Sequence, residues 1–316
     1  MNSGIEWLRN RARSLAFDLT AVCVPVRFSQ WEAESGMKDA ARLARLSPDP
    51  QEILPGAKSL ILLASWFHPY CDGAADPSIN AYYPVSNRSY QAVKALASDI
   101  QSLGCRAIPA PPLPLKPAFA GLGLAHYGRN GLLSFGEHGT RAALQMLLTD
   151  LPLPAERPSD AVRSPGEFCG GCDLCVRACP TGALRGNGRL DLERCLRAQP
   201  EGEPMPEAYR ALIGNSLFGC DICQKACPRN RHVAPVPMPV DVAEALRLEK
   251  LLTGDVRELA AHLGRNYARP KRIAARACLV AANTERRDLI PLLEPLLSDS
   301  FEAVHVHARW ALERLA

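Results

Sequence analysis

Apolar residues fall into two rhythms along this chain. From Lys58 to Trp66 they run almost unbroken, with Leu60-Ile61-Leu62-Leu63-Ala64 at the centre. That is the pattern of a strand covered on both faces. Ala21 to Val26 predicts a second strand, and Cys105 to Ile108 a short third. Trp31 to Leu46, closed by Ser47-Pro48, and Tyr90 to Leu103, closed by Gly104, carry helical spacing. Arg141 to Thr149 is likewise expected to be helical, and Leu54-Pro55-Gly56-Ala57 to be a turn. Strand-like and helix-like segments alternate over this part of the chain, which argues for an α/β domain.

Prolines mark the joints. Pro109, Pro111, Pro112, Pro114 and Pro117 crowd one short stretch and exclude regular structure through most of it. Pro152 to Pro165 reads as a linker, and Pro235-Val236-Pro237-Met238-Pro239 as a second boundary. Beyond it the pattern is helical. Arg272 to Asn283 and Ser300 to Leu315 flank Leu289 to Leu297, in the manner of one degenerate helical repeat. Three domains are expected: 1–160, 161–235 and 236–316.

Composition changes this picture in one respect. With 316 residues, 47% hydrophobic and 22% charged, the chain is ordinary for a globular protein, and its net charge of +4 permits an anionic partner without requiring one. No basic head with an apolar stretch opens it, and no apolar run approaches the ~20 residues that span a bilayer. A cytoplasmic location is expected. There is no glycine-rich dinucleotide fingerprint and no phosphate-binding loop. The cysteines, however, are uneven. Of 12, Cys23, Cys71, Cys105 and Cys278 are scattered and read as small buried hydrophobes, while eight crowd between Cys169 and Cys227.

The crowded eight carry chemistry. Cys169-Gly-Gly-Cys172-Asp-Leu-Cys175-Val-Arg-Ala-Cys179-Pro180 is the bacterial ferredoxin run C-x2-C-x2-C-x3-C-P. Three closely spaced thiolates wrap one corner of a cubane, and the fourth points to the neighbouring cluster. Cys220-Asp-Ile-Cys223-Gln-Lys-Ala-Cys227-Pro228 repeats the last three cysteines and lacks the first, which Cys195 can supply. The crossover rule then gives one 4Fe-4S cluster to Cys169, Cys172, Cys175 and Cys227. It gives a second to Cys179, Cys195, Cys220 and Cys223. Structural zinc has no use for a third cysteine at this spacing, and disulfides suit neither the chain length nor the setting. With all eight thiolates assigned, neither cluster keeps an open iron, so both should carry electrons.

The surrounding text resembles the epoxyqueuosine reductase family, cobalamin-dependent enzymes related to reductive dehalogenases. The resemblance rests on Arg194-Cys195, Pro206-Glu207, Ala211-Leu-Ile213-Gly214-Asn215-Ser-Leu-Phe218-Gly219-Cys220-Asp221-Ile-Cys223-Gln224 and Cys227-Pro228-Arg-Asn230. Leu54-Pro55-Gly56-Ala57-Lys58-Ser59 and Gly128-Arg129-Asn130-Gly131-Leu132-Leu133 are similar to further family segments. The resemblance implies an α/β cobalamin-binding-type domain, a ferredoxin-like double-cluster domain and an α-helical HEAT-like tail. It implies cobalamin between the α/β domain and the clusters, reduced through them to cob(I)alamin. Reductive removal of the epoxide oxygen from a modified tRNA wobble base would follow. An electron donor such as a ferredoxin or flavodoxin is implied as partner.

By the same resemblance Arg129, Asn130 and Ser134 are the cofactor-contact candidates. The family's proton-donating aspartate should fall near Ile108-Pro109-Ala110, where this chain has none, and Leu196-Arg-Ala-Gln-Pro200 also departs from the family text. His126, Tyr127 and Tyr82 are the catalytic candidates in its place, with Tyr83, Tyr90 and Lys116 nearby in the sequence. Arg265, Arg269, Lys271, Arg272, Arg276, Arg286 and Arg287 form a basic stretch suited to RNA phosphates. Two other readings fit the same residues: an electron carrier without cobalamin serving a partner enzyme, and an RNA-binding homologue without catalysis.

Overall fold

The computed structural model describes residues 2–29, 45–71, 73, 77–158, 164–200 and 202–316. The helix expected from Trp31 to Leu46 lies largely outside them. The chain divides into two compact units. The first comprises Met1–Phe67, Val85–Gly128 and Leu132–Phe168; the second comprises His68–Pro84, Arg129–Gly131 and Cys169–Ala316.

The first unit is built on a sheet of β1 (Leu19–Cys23), β2 (Ser59–Trp66), β7 (Ala142–Thr149) and β4 (Ala107–Pro109), in the order β1-β2-β7-β4 with every pairing antiparallel. Side chains alternate across a strand, so β2 feeds two cores at once. Leu60, Leu62 and Ala64 join Ala21, Met146, Leu148 and Phe119 on one face. Ile61 and Leu63 join Val22, Leu147, Leu8, Val93, Leu96 and Ile100 on the other. Helices Asn2–Ser14 and Tyr82–Ser102 supply the second layer. Each fully buried leucine of β2 contributes about 1.5–3 kcal/mol, which makes this strand the axis of the unit.

Three expectations are corrected here. Arg141 to Thr149 is not helical: Ala142–Thr149 is strand β7, in continuous register with β2 from Ser59↔Thr149 to Trp66↔Ala142. Its Ala, Leu, Met and Gln residues favour helix in isolation, but pairing on both edges and burial override that preference. The strand beginning at β1 stops at Cys23, and Val24 and Val26 are exposed. Pro25 between them has no N–H to give a ladder. The helix expected from Tyr90 starts at Tyr82 instead, where the Asn80 side chain accepts the Tyr82 N–H at 2.9 Å. Proline in β4 is tolerated because that strand is at the sheet edge.

Also in the first unit, a hairpin joins β5 (His126–Tyr127) to β6 (Leu133–Ser134). In the second unit, β3 (Ser78–Ile79) pairs in parallel with β8 (Ser216–Phe218), just ahead of the last cysteine motif. The C-terminal part is helical, with Pro270–Asn283 and Glu302–Leu315 sharing the core of Ala277, Leu279, Ala308 and Ala311. Among the described residues no helix is long and apolar enough to cross a membrane.

Candidate metal centre

The two cysteine motifs fold as copies of one arm. In the first, Asp173 precedes the turn Leu174–Ala178 at φ −126°, ψ 13°, and Cys179 follows it at φ −72°, ψ 110°. In the second, Asp221 precedes Ile222–Lys225 at φ −121°, ψ 15°. There Cys227 precedes the short 3₁₀ turn Pro228–Asn230 at φ −79°, ψ 120°. Each aspartate pairs with the basic residue four positions on, Asp173 with Arg177 at 2.9 Å and Asp221 with Lys225 at 3.5 Å. One helical turn therefore carries Cys175 and Cys223, and Cys179 and Cys227 follow it in extended backbone, each just before a proline.

The thiols influence one another in two groups. Burial raises the Cys175 thiol, reinforced by Cys227, Cys169 and Cys172. Burial likewise raises Cys227, with Cys169 and Cys172 adding to it. Burial pushes Cys220 up to about 11, with Cys195 and Cys179 contributing. It pushes Cys223 up to about 12, with contributions from Cys220, Cys175, Cys195 and Cys179. Cys223 of the second group also feels Cys175 of the first. Thiols raised in this way give up protons when metal binds, so loading couples to pH.

The donor set suits polynuclear iron. Thiolates are the cluster ligands, and hydrogen bonds to sulfur stabilise their charge. Cys169 Sγ receives the Arg129 N–H at 3.4 Å. Cys179 Sγ receives the Ala183 N–H at 3.3 Å and lies 3.6 Å from the Thr181 hydroxyl. Burial alone would raise the Cys179 thiol, but bonds from Thr181, Ala183 and Leu184 hold it below its ordinary value. Sequence reasoning missed Thr181 and Gly219. The signal for the first was a hydroxyl residue directly after Cys179-Pro180. Gly219, at φ +79°, precedes Cys220, and a Cβ there would lie 2.9 Å from the Tyr83 ring. Only glycine fits that backbone and that contact.

The remaining candidates are placed as follows. In the first unit His126 is half-buried, its ring 5.0 Å from that of Phe168, and it faces Ser134 across the hairpin, while Tyr127 faces Leu133. Ser134 is 2% exposed, and its hydroxyl has no hydrogen-bond partner among the described residues. Such an orphaned buried hydroxyl suits a ligand polar group. In the second unit Asn130 is buried, and Tyr82 meets the Tyr83 ring edge-on at 5.6 Å. Tyr83 packs in turn against Phe218 and Tyr267, with the Arg197 guanidinium 5.0 Å above its ring. Tyr90 is exposed. Lys116 stands in the first turn of Leu115–Gly121. Of the basic stretch, Arg286 pairs with Glu249 at 2.5 Å and Asp288 at 2.7 Å, Lys271 pairs with Asp299, and Arg276 reaches Met205 Sδ at 3.6 Å.

Comparison with known proteins agrees with this geometry. Residues 168–230 match the family model described as a 4Fe-4S double cluster binding domain. The chain is 31% identical over 189 residues to an uncharacterized protein in the gldA 3′ region of Geobacillus stearothermophilus, covering 57% of this chain and 84% of that one. It is 33% identical over 202 residues to the epoxyqueuosine reductase of Staphylococcus aureus, covering 61% of this chain and 51% of that protein. It thus spans about half the length of the curated epoxyqueuosine reductases it matches. Among solved structures, the epoxyqueuosine reductase of Streptococcus thermophilus has the same fold, with a TM-score of 0.77 at 22% identity over 100% of this chain and 90% of that one. An epoxyqueuosine reductase solved with an epoxyqueuosine-modified tRNA stem loop gives 0.74 at 23% identity, over 98% and 89%.

Proposed function

Because this chain belongs to an epoxyqueuosine reductase-like family, we propose that it is a reductase of that type, acting with cobalamin on a modified tRNA base. The observation that carries the reading is the paired cysteine arms, held in the fold those enzymes share. Cys169, Cys172, Cys175 and Cys227 would hold one cluster, and Cys179, Cys195, Cys220 and Cys223 the other. Bound there, the clusters supply one-electron transfer. Cobalamin, when bound, supplies a strongly reducing nucleophilic centre.

This chain's residues have the rest to do. Ser134 offers its orphaned hydroxyl to the cofactor, with Asn130 in the same sequence segment. Opening an epoxide and releasing its oxygen as water consumes two electrons and two protons, so a proton donor is needed. We assign that role to His126, since imidazole is the side chain best matched to proton transfer near neutrality. Tyr127 and Tyr82 are the phenolic alternatives. The Cys169–Asn230 block would draw on a low-potential ferredoxin or flavodoxin. The helices after residue 236 are read as a HEAT-like tail, with Arg265, Arg269 and Arg287 towards tRNA phosphates. The 1–160, 161–235 and 236–316 divisions and a cytoplasmic setting belong to the same proposal.

Anaerobic incubation with epoxyqueuosine-containing tRNA, added cobalamin and a low-potential reductant tests it. Cobalamin-dependent loss of one oxygen from the base, by mass spectrometry, is expected. No conversion and no spectral change of added cobalamin, with both clusters intact, would sink the proposal and favour the electron-carrier reading.

A further inference from the structure

Arg129 sits where a cofactor contact alone does not explain it. Arg129–Gly131 belongs to the second unit, although the chain on either side belongs to the first. Its main-chain N–H donates to Cys169 Sγ at 3.4 Å, and its guanidinium Nη2 donates to the Gly170 carbonyl at 3.1 Å. Nη1 lies where a Cβ on Gly186 would meet it at 3.7 Å. Nε is buried with no hydrogen-bond partner among the described residues. Backbone contact seats the segment: Gly131 is at φ +73°, and a Cβ on it would lie 2.7 Å from the Gly188 carbonyl oxygen. The cation is therefore held against the Cys169–Cys172 loop.

We infer that Arg129 is a positioning residue that sets the reduction potential of the cluster held by Cys169. The inference rests on reading Cys169 as a ligand. Reduction of that cluster adds one electron to its core, supplied by a low-potential one-electron donor, with no bond broken and no proton taken up. A fixed cation and an N–H on the ligating sulfur both favour the more negative, reduced form. Arg177 provides the contrast: it is one turn further on, exposed, and already paired with Asp173.

Potentiometric titration of the anaerobic protein, followed by electron paramagnetic resonance, tests this with iron counted in every variant. Arg129→Gln is expected to hold both clusters and to shift one reduction equilibrium about tenfold against reduction, about 59 mV for a one-electron couple. The other cluster should not move. Arg129→Lys should shift by less, and Arg177→Gln should leave both potentials in place. Full iron with unchanged potentials in Arg129→Gln overturns the inference, and so does an equal shift in Arg177→Gln. If Arg129→Gln loses iron, Arg129→Lys decides. Full iron with a shift under tenfold supports the inference, and loss of iron in both assigns Arg129 a packing role and overturns it. Cys169→Ala separates the underlying reading: retention of both clusters there removes Cys169 as a ligand.

Discussion

The two cysteine arms share a backbone and differ in what surrounds it. Aligned at Asp173 and Asp221, they match through Cys175 and Cys223 to Cys179-Pro180 and Cys227-Pro228, with nearly the same dihedral angles. They part at the first position. Cys169 of the first arm corresponds to Leu217 of the second, which is 1% exposed and belongs to strand β8 paired with β3. A residue committed to a strand and a core cannot turn to a cluster, and the proposed assignment takes the fourth ligand from Cys195 instead. The comparison teaches that spacing fixes ligand direction, while the neighbouring fold decides which positions are free to ligate.

The largest effect that sharpens this contrast involves the loop between Cys195 and Cys220, which the first arm lacks. His307 pins it: Met205 N–H donates to Nε2 at 2.8 Å, and Nδ1 donates to the Ala275 carbonyl at 2.9 Å. The Met205 bond requires neutral imidazole, because protonation would place a hydrogen on Nε2, and burial holds the His307 pKa down to about 4. Below the ordinary value of ~6.5 the unfolded chain takes up a proton that the folded chain refuses. This stabilisation is therefore full above about pH 6.5 and falls as pH drops towards 4, by about 3 kcal/mol in all. Urea unfolding between pH 7 and 4.5 should show the loss, and His307→Asn should flatten it. An undiminished acid slope in that variant would remove His307 as its source.

A smaller effect separates the paired glycines. Gly171 and Gly219 stand at equivalent places before Cys172 and Cys220. A Cβ on Gly171 meets nothing within 4 Å, whereas Gly219 has φ +79° and the Tyr83 ring 2.9 Å away. Gly219→Ala should cost about 1–3 kcal/mol and lower the melting temperature. Gly171→Ala should stay within about 0.5 kcal/mol. Equal losses would mean that Tyr83 gives the second arm no special support. Smaller still, Thr181→Val deletes the hydroxyl beside Cys179 Sγ and should cost at most about 1 kcal/mol. Its signature is a lowered potential of the second cluster alone, and a shift of the first instead would reassign Cys179.

The arms were legible in the sequence because a cubane imposes its spacing locally, on residues Cys169–Cys179 and Cys220–Cys227. The N-terminal sheet was half legible. The unbroken apolar run of β2 announced a strand, but β7 carries helix-favouring residues, and only its pairing with a strand far away in the chain makes it extended. Contacts made through the backbone were not legible. Arg129 reads from sequence as a cofactor contact, and nothing local says that its N–H meets Cys169. His307 and Met205 are 102 residues apart, and no periodicity links them.

The central claim is that two unequal arms and one remote cysteine make two clusters. Iron content and reduced-state electron paramagnetic resonance of anaerobic Cys195→Ala test it most directly. The account predicts loss of the second cluster, with the 4Fe-4S signal of the Cys169 cluster retained. Two intact clusters in that variant would contradict it.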